Sequence, residues 1–167
     1  MVGLQRCSRQ RVSEAFKTFM IFEVKTESEL LELRIVLENF YQILPYKKDL
    51  DGVRKNWIPL WKDLIKSKKG KIFALEDEKK IIGALGFLTS LSLEDGALTC
   101  TEAFWYVDKE HRGAGLKLLN KFESYAKSIG CKRIVMAHLE NSMPDKLKKL
   151  YIRKKYKHVE SMYLKEL

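Results

Sequence analysis

The stretch FWYVDKEHRGAGLKLL, Phe104 to Leu119, decides the fold. An aromatic, apolar run stops at Asp108 and a charged turn follows. Gly113 and Gly115 flank Ala114, and leucines then return at helical spacing. The pattern predicts a strand that passes through a glycine turn into a helix. Glycine has no Cβ, so backbone amides there can approach a ligand closely, and φ is free to be positive. The first N–H groups of a helix lack intrahelical partners, and with the helix dipole they suit an anion such as a pyrophosphate. Arg112 and Lys117 add positive charge at the same place. A P-loop is excluded, because no G-x-x-x-x-G-K-[ST] is present. A dinucleotide fingerprint is excluded because Leu118 stands where its third glycine belongs. A bare G-x-G reads as a tight turn. The long strand before it, the long helix after it and the flanking cations favour an anion site.

Outward from this turn the elements alternate in type. FMIFEVKT (residues 19–26) reads as a first strand, and Thr26 with Glu29 offers a capping box to a helix carrying Leu30, Leu33, Leu37 and Tyr41 at helical period. A second helix is predicted around WIPLWKDLIKS, with Trp57, Leu60, Trp61, Leu64 and Ile65 on one face, Pro59 near its first turn or at a kink, and Gly70 ending it. KIFALE and KIIGALGFLTS, joined by DEKK, read as a hairpin in which Gly83 and Gly86 mark a bulge or a close backbone approach. ALTCTEAFWYV (97–107) is the strand before the turn. Leu118, Leu119, Phe122, Ala126 and Ile129 line the helix after it, with Gly130 as C-terminal cap. CKRIVMAHL reads as a buried strand, PDKLKKLYIRKK as a last helix with Pro144 in its first turn, and KHVESMYLKEL as a final strand. Helices and strands mix, so the class is α/β or α+β, with helices packed on a mostly antiparallel sheet.

A chain of 167 residues supports one core of ordinary size. Residues 20–167 read as one domain and 1–19 as a loose N-terminal extension. Arg6, Arg9, Arg11 and Lys17 against Glu14 would also suit a targeting peptide, and Met20 would also suit a natural start. Hydrophobic content of 46% with 32% charge describes a globular, not a disordered, chain. No apolar run approaches the roughly 18 residues of a membrane span, so no membrane partner is expected. Cys7, Cys100 and Cys131 form no CxxC pair and no ligand spacing with His111, His138 or His158. A disulfide framework and a metal site are therefore not expected, and the cytoplasm is the expected compartment. The net charge of +10 fits an acidic partner, such as nucleic acid, a polyphosphate cofactor or an acidic protein, or else a lysine-rich solvated surface.

YVDKEHRGAGLKLL resembles the acetyl-CoA signature of the GNAT (GCN-related N-acetyltransferase) superfamily, a strand ending in V-x-P-x-x-R-G-x-G-x-G/A before a helix. Arg112 takes the first position of its Q/R-x-x-G-x-G/A core and Gly115 the central glycine. Lys117 stands where the family prefers Gly or Ala, and Lys109 where it has proline. KLYIRKKYKHVE resembles the family's LYEKLGFKHVG, with Tyr151 on its tyrosine and Lys155–Tyr156 in place of Gly-Phe. Asn141 resembles the asparagine after the fifth strand, and the order of elements fits from Phe19 to Leu167.

The resemblance implies a central mixed, mostly antiparallel sheet flanked by about four helices, with two parallel strands splayed apart to admit the cofactor's pantetheine arm. It assigns these strands to residues 97–107 and 131–139. Backbone groups at Trp105, Tyr106 and Val107 would hold the arm. Amides of Arg112, Gly113, Ala114, Gly115, Leu116 and Lys117 would hold the pyrophosphate, with Asn141 and Tyr151 completing the acetyl-CoA site. The implied function is acetyl transfer to a primary amine of a small molecule, peptide or protein.

Such chemistry calls for a base for the ammonium, donors for the oxyanion and an acid for the thiolate. The resemblance gives Tyr151 the acid role. Glu102, a carboxylate in an otherwise apolar strand, is a candidate base whose pKa burial would raise. It would share a face with Phe104 and Tyr106 in a regular strand, though a bulge would change that. His138 and Glu140 are alternatives, and water alone would also serve. An acceptor pocket would draw on the first two helices and on Trp57, Trp61, Phe104 and Tyr106, residues that core packing explains equally well. Two other readings keep the fold. One is an RNA or aminoacyl-tRNA acetylating protein, suggested by DKLKKLYIRKKYKH. The other is a CoA-binding module without turnover, suggested by Lys117 and Lys155. A homodimer is compatible with all three.

Overall fold

The computed structural model describes residues 19–45 and 50–167. In chain order these are β1 (Met20–Glu23), α1 (Glu27–Glu32), α2 (Arg34–Gln42), α3 (Leu50–Lys66), β2 (Gly70–Asp77), β3 (Lys80–Leu91), β4 (Leu98–Val107), a 3-10 turn (Lys109–Ala114), α4 (Gly115–Ser128), β5 (Arg133–Val135) and α5 (Pro144–Arg153). The strands form one mixed sheet in the order β1-β2-β3-β4-β5. Three antiparallel pairings are followed by one parallel pairing, of β4 with β5. The α/β class and the mostly antiparallel sheet expected from the sequence are therefore present.

Local chemistry accounts for several boundaries. The Thr26 hydroxyl accepts from the Glu29 N–H, and the Glu29 carboxylate accepts from the Thr26 N–H, closing the predicted capping box at α1. Glu78 and Lys79 both take positive φ in the two-residue hairpin between β2 and β3, the geometry that matches the strands' twist. Gly130 has φ +77° after α4, as a C-terminal cap requires.

The sheet carries a core on each face. On one, α4 inserts Leu118, Leu119, Phe122 and Ala126 against Phe73, Leu85 and Phe87, with the Phe87 and Phe122 rings 4.4 Å apart. On the other, Leu30, Leu33, Val36 and Leu37 of the first helices and Trp57 and Trp61 of α3 pack on Ile72, Ala84 and Phe104. Each large side chain buried this way stabilises the fold by about 2 kcal/mol before entropy is subtracted. Gly86 is required in the second core, because a Cβ there would lie 2.2 Å from the Phe104 ring.

Four expectations are corrected. The helix read across residues 30–41 is two helices meeting at Leu33, which stays in the right-handed helical region and is fully buried. Helix α3 begins at Leu50, so of the two places allowed for Pro59 the first turn is excluded and the residue is interior, and Leu60 is exposed while Trp57 and Trp61 are buried. The helix ends at Lys66, and Gly70 opens β2. The strand read across 131–139 is only three residues long and half-exposed, and the final strand is absent: residues 157–167 carry no strand and are exposed. The expected loose extension lies, apart from Phe19, outside the described residues.

Candidate active site

Strands β4 and β5 pair at Thr99–Arg133, Cys100–Ile134 and Thr101–Val135 and then part. β4 runs on to Val107 with no β5 partner. The parallel pairing therefore ends at Thr101, and a gap between the strands follows, on the stretch that the resemblance assigns to the cofactor's arm. A register shift in the β3–β4 pairing sits at its mouth. Gly86 faces Phe104 while Phe87 faces Glu102, which leaves Ala103 as the extra residue. This bulge overturns the regular-strand expectation for Glu102. Phe104 and Tyr106 belong to the core under α1–α3, whereas Glu102 is turned towards β5.

Glu102 and Tyr151 meet at the backbone of one residue, Ala137. The Glu102 carboxylate accepts the Ala137 N–H at 3.1 Å, and the Tyr151 hydroxyl donates to the Ala137 carbonyl at 2.7 Å. His138 follows Ala137 in the chain. Burial pushes the Glu102 carboxyl up to about 7, against the opposing Ala137 N–H. Burial also raises the Tyr151 phenol well above its usual range, with help from the charges of Glu102 and Tyr156. Tyr151 itself is buried on α5, and a brace holds that helix to α4. The Tyr156 hydroxyl donates to Glu123 at 3.0 Å, Lys154 pairs with Glu123 at 2.8 Å, and the Tyr151 and Tyr156 rings lie 5.5 Å apart. His138 Nε2 lies 3.9 Å from Glu140.

The glycine turn closes the far end of β4. Neither glycine has positive φ. Their role is space. A Cβ on Gly113 would meet nothing within 4 Å. A Cβ on Gly115 would meet Trp105 and Val107, each at 3.3 Å. Gly115 thus lets α4 settle on β4, and Gly113 leaves the outer surface of the turn open. Arg112, Gly113, Leu116 and Lys117 are exposed around it, and Ala114 and Gly115 are buried. The Gly115 N–H bonds to the Arg112 carbonyl within the turn. Arg112 reaches the Met143 sulfur at 2.9 Å, and Lys117 lies over the Phe19 ring at 4.8 Å. An open, cationic helix entry of this kind suits an anionic phosphate group.

The profile of the acetyltransferase (GNAT) family matches residues 34–154, most of the chain. The chain belongs to the GNAT acetyltransferase family. Solved structures share the fold. A ribosomal-protein-alanine N-acetyltransferase from Brucella melitensis biovar Abortus 2308 superposes with a TM-score of 0.67 at 16% identity, over 90% of this chain and 99% of that one. A Trypanosoma brucei acetyltransferase gives 0.67 at 17% identity, over 90% and 100%. An aminoglycoside acetyltransferase from an uncultured soil metagenomic sample gives 0.69 at 16%, over 90% and 98%. No curated protein matches by sequence.

In this GNAT chain the remaining candidates are distributed unevenly. Trp105, Tyr106 and Val107 line β4 between the gap and the turn, and the buried Trp105 indole N–H has no hydrogen-bond partner. Asn141 points elsewhere. Its amide donates to the Ile43 carbonyl at 2.6 Å and ties the loop after β5 to the end of α2. Trp57, Trp61 and Phe104 are core residues, which leaves Tyr106 as the only partly exposed member of the expected aromatic pocket. Sequence reasoning missed the Ala137 backbone, the Glu123 brace and the contact of Cys100 with Cys131, whose sulfurs lie 3.1 Å apart as free thiols. Only the bulge had a sequence signal, in Gly86. No cluster of metal-ligating side chains occurs among the described residues.

Proposed function

We propose that this protein is an acetyl-CoA-dependent N-acetyltransferase that moves an acetyl group directly to a primary amine. The observation that carries the reading is the convergence of Glu102 and Tyr151 on Ala137, in a strand gap that leads to an open cationic turn.

The residues fit the cofactor. The space over Gly113 and the exposed Arg112 and Lys117 suit its pyrophosphate, with Ala114 to Leu116 shaping the turn. Trp105, Tyr106 and Val107, unpaired with β5, offer their strand edge to the pantetheine arm. Acetyl-CoA supplies an activated acyl thioester; orientation and proton handling fall to the chain. Glu102, with its carboxyl pushed up by burial to about 7, can take a proton from an ammonium, directly or through water. Tyr151 keeps its proton at Oη throughout the neutral range and is the proton donor for a departing thiolate. His138 and Glu140, beside Ala137, are the alternative bases. Asn141 acts by fixing the loop after β5.

The acceptor is an amine of a small molecule, peptide or protein. A second reading, acetylation of an RNA-borne amine, is favoured by one observation: Lys146, Lys148, Lys149, Arg153, Lys155 and Lys157 are exposed on and just after α5.

Calorimetric titration with acetyl-CoA, on the wild type and on Gly113→Glu, tests the reading. A Cβ at this position meets nothing within 4 Å, so the variant is expected to fold while a negative charge enters the proposed phosphate site. Micromolar binding that the variant loses is the expected result. Absence of binding by a folded wild type overturns it.

A further inference from the structure

We infer that Glu123 is a positioning residue for Tyr151, holding the end of α5 so that the Tyr151 hydroxyl stays at the Ala137 carbonyl. The inference rests on the reading of Tyr151 as a proton donor.

Helix α5 has little packing of its own to fix it. It buries one residue, Tyr151, where α4 buries five. A helix is seated mainly by its apolar face, and here that face is the side chain whose placement the reaction needs. The helix is finished instead by a folded-back turn. The Tyr156 N–H bonds to the Tyr151 carbonyl at 2.9 Å and the Lys155 N–H to the Ile152 carbonyl at 2.9 Å, the two bonds of a Schellman motif. The motif lays the Tyr156 ring on the Tyr151 ring, with centroids 5.5 Å apart. Its turning residue is Lys155, at φ +67°. Glycine takes that conformation freely, whereas a residue with a Cβ is strained in it. A turn made from Lys155 needs an outside hold.

Glu123 supplies the hold with both of its oxygens. Oε1 accepts the Tyr156 hydroxyl at 3.0 Å, and Oε2 pairs with the Lys154 ammonium at 2.8 Å. The same ammonium donates to Asn120 Oδ1 at 2.8 Å, one turn earlier on α4. The carboxylate has a firm seat, because the adjacent Phe122 is fully buried and its ring lies 4.4 Å from that of Phe87. Burial and then the Glu123 charge push the Tyr156 phenol above its usual range, so its proton stays in the bond to Glu123. The route from Glu123 to the site is short. Tyr156 meets Tyr151 by ring contact and backbone bond, and Tyr151 meets the Ala137 carbonyl at 2.7 Å. Where the resembled motif has Gly-Phe, this chain has Lys155–Tyr156. The two changes belong together: the lysine strains the turn, and the tyrosine adds the hydroxyl that ties it to α4.

The test uses the full chain with its tyrosines labelled at Cζ for carbon NMR. Tyr151 is identified by the signal that Tyr151→Phe removes. The variants are Glu123→Ala, Glu123→Gln, which keeps an acceptor for the Tyr156 hydroxyl, and Tyr156→Phe, which keeps the ring contact and loses only the hydroxyl. The expected result is a Tyr151 signal that moves toward the free-tyrosine position in Glu123→Ala and Tyr156→Phe and returns most of the way in Glu123→Gln. In Glu123→Ala, kcat should fall about 10-fold with the KM for acetyl-CoA unchanged. It should fall no further when Glu123→Ala is added to Tyr151→Phe, because both changes act on one hydroxyl. A Tyr151 signal that stays in place in Glu123→Ala and Tyr156→Phe overturns the inference. So does a moved signal with kcat unchanged, and so do losses in kcat that add. If Glu123→Ala does not fold, Tyr156→Phe decides by the same readings. A wild type that acetylates no amine overturns the reading of Tyr151 as the acid instead, and the Tyr151 signal still decides whether Glu123 holds it.

Discussion

The turn at residues 109–115 and the gap between β4 and β5 lie at two ends of one strand, and they are built on different principles. The turn is a local object. Its parts are consecutive in the chain, its glycines act by leaving space, and its cations sit beside them. The gap is assembled from three distant stretches. Glu102 comes from β4, Ala137 from the chain after β5 and Tyr151 from α5, and they meet at the backbone of Ala137. A local device tolerates change in the rest of the fold. A convergent one depends on every element that carries a part.

The difference can be broken experimentally, starting where the effect should be largest. Gly113→Glu should weaken acetyl-CoA binding by about 100-fold or more, the equivalent of losing one or two charge-assisted hydrogen bonds, while thermal unfolding stays near that of the wild type. A binding loss accompanied by unfolding would mean that the turn is not independent of the core. Tyr151→Phe should lower kcat by about 100-fold and leave the KM for acetyl-CoA nearly unchanged. Equal losses in both would assign Tyr151 to binding.

Glu102 gives a pH signature. Its folded pKa of about 7 lies above the ordinary carboxylic acid value, so folding favours the protonated form. The group's contribution is fully present below the unfolded pKa. It is lost as pH rises towards 7 and stays level above that. The total is about 3 kcal/mol. Urea titrations at pH 5 and pH 8 should therefore show the wild type losing stability relative to Glu102→Gln as pH rises. A pH-independent difference would place the carboxylate in water. The same variant should abolish the rise in rate through pH 7 if Glu102 is the base.

The smallest effect belongs to the capping box at α1. Thr26→Ala should cost about 1 kcal/mol in unfolding free energy and leave activity unchanged. A change in kcat there would show that the first helices reach the acceptor side.

What could be read without a structure follows the same division. The capping box, the β2–β3 hairpin, the α4 stripe and the turn depend on neighbours within a few residues, so periodicity and turn chemistry reveal them. The parallel gap was legible only through resemblance, because nothing local in residues 131–139 says which strand they adjoin. The aromatic pocket was misassigned for a related reason. Trp57, Trp61 and Phe104 are equally suited to lining and to filling, and α3 pressing on β3 and β4 makes them filling. Cys100 and Cys131 form no CxxC pair in the sequence, and the parallel pairing of β4 and β5 brings them into contact.

The sequence by itself determined the strand–turn–helix unit, the class of the fold and the family, since each rests on residues adjacent in the chain or on their order. Tertiary structure alone decided the rest. It turned Glu102 off its expected face by one inserted residue, Ala103, and brought it with Tyr151 to the backbone N–H and C=O of Ala137, which no side-chain pattern encodes. It also left KHVESMYLKEL out of the sheet. Strand pairing is a contact between remote segments, and the tail's β pattern specifies that it can pair but not with which edge.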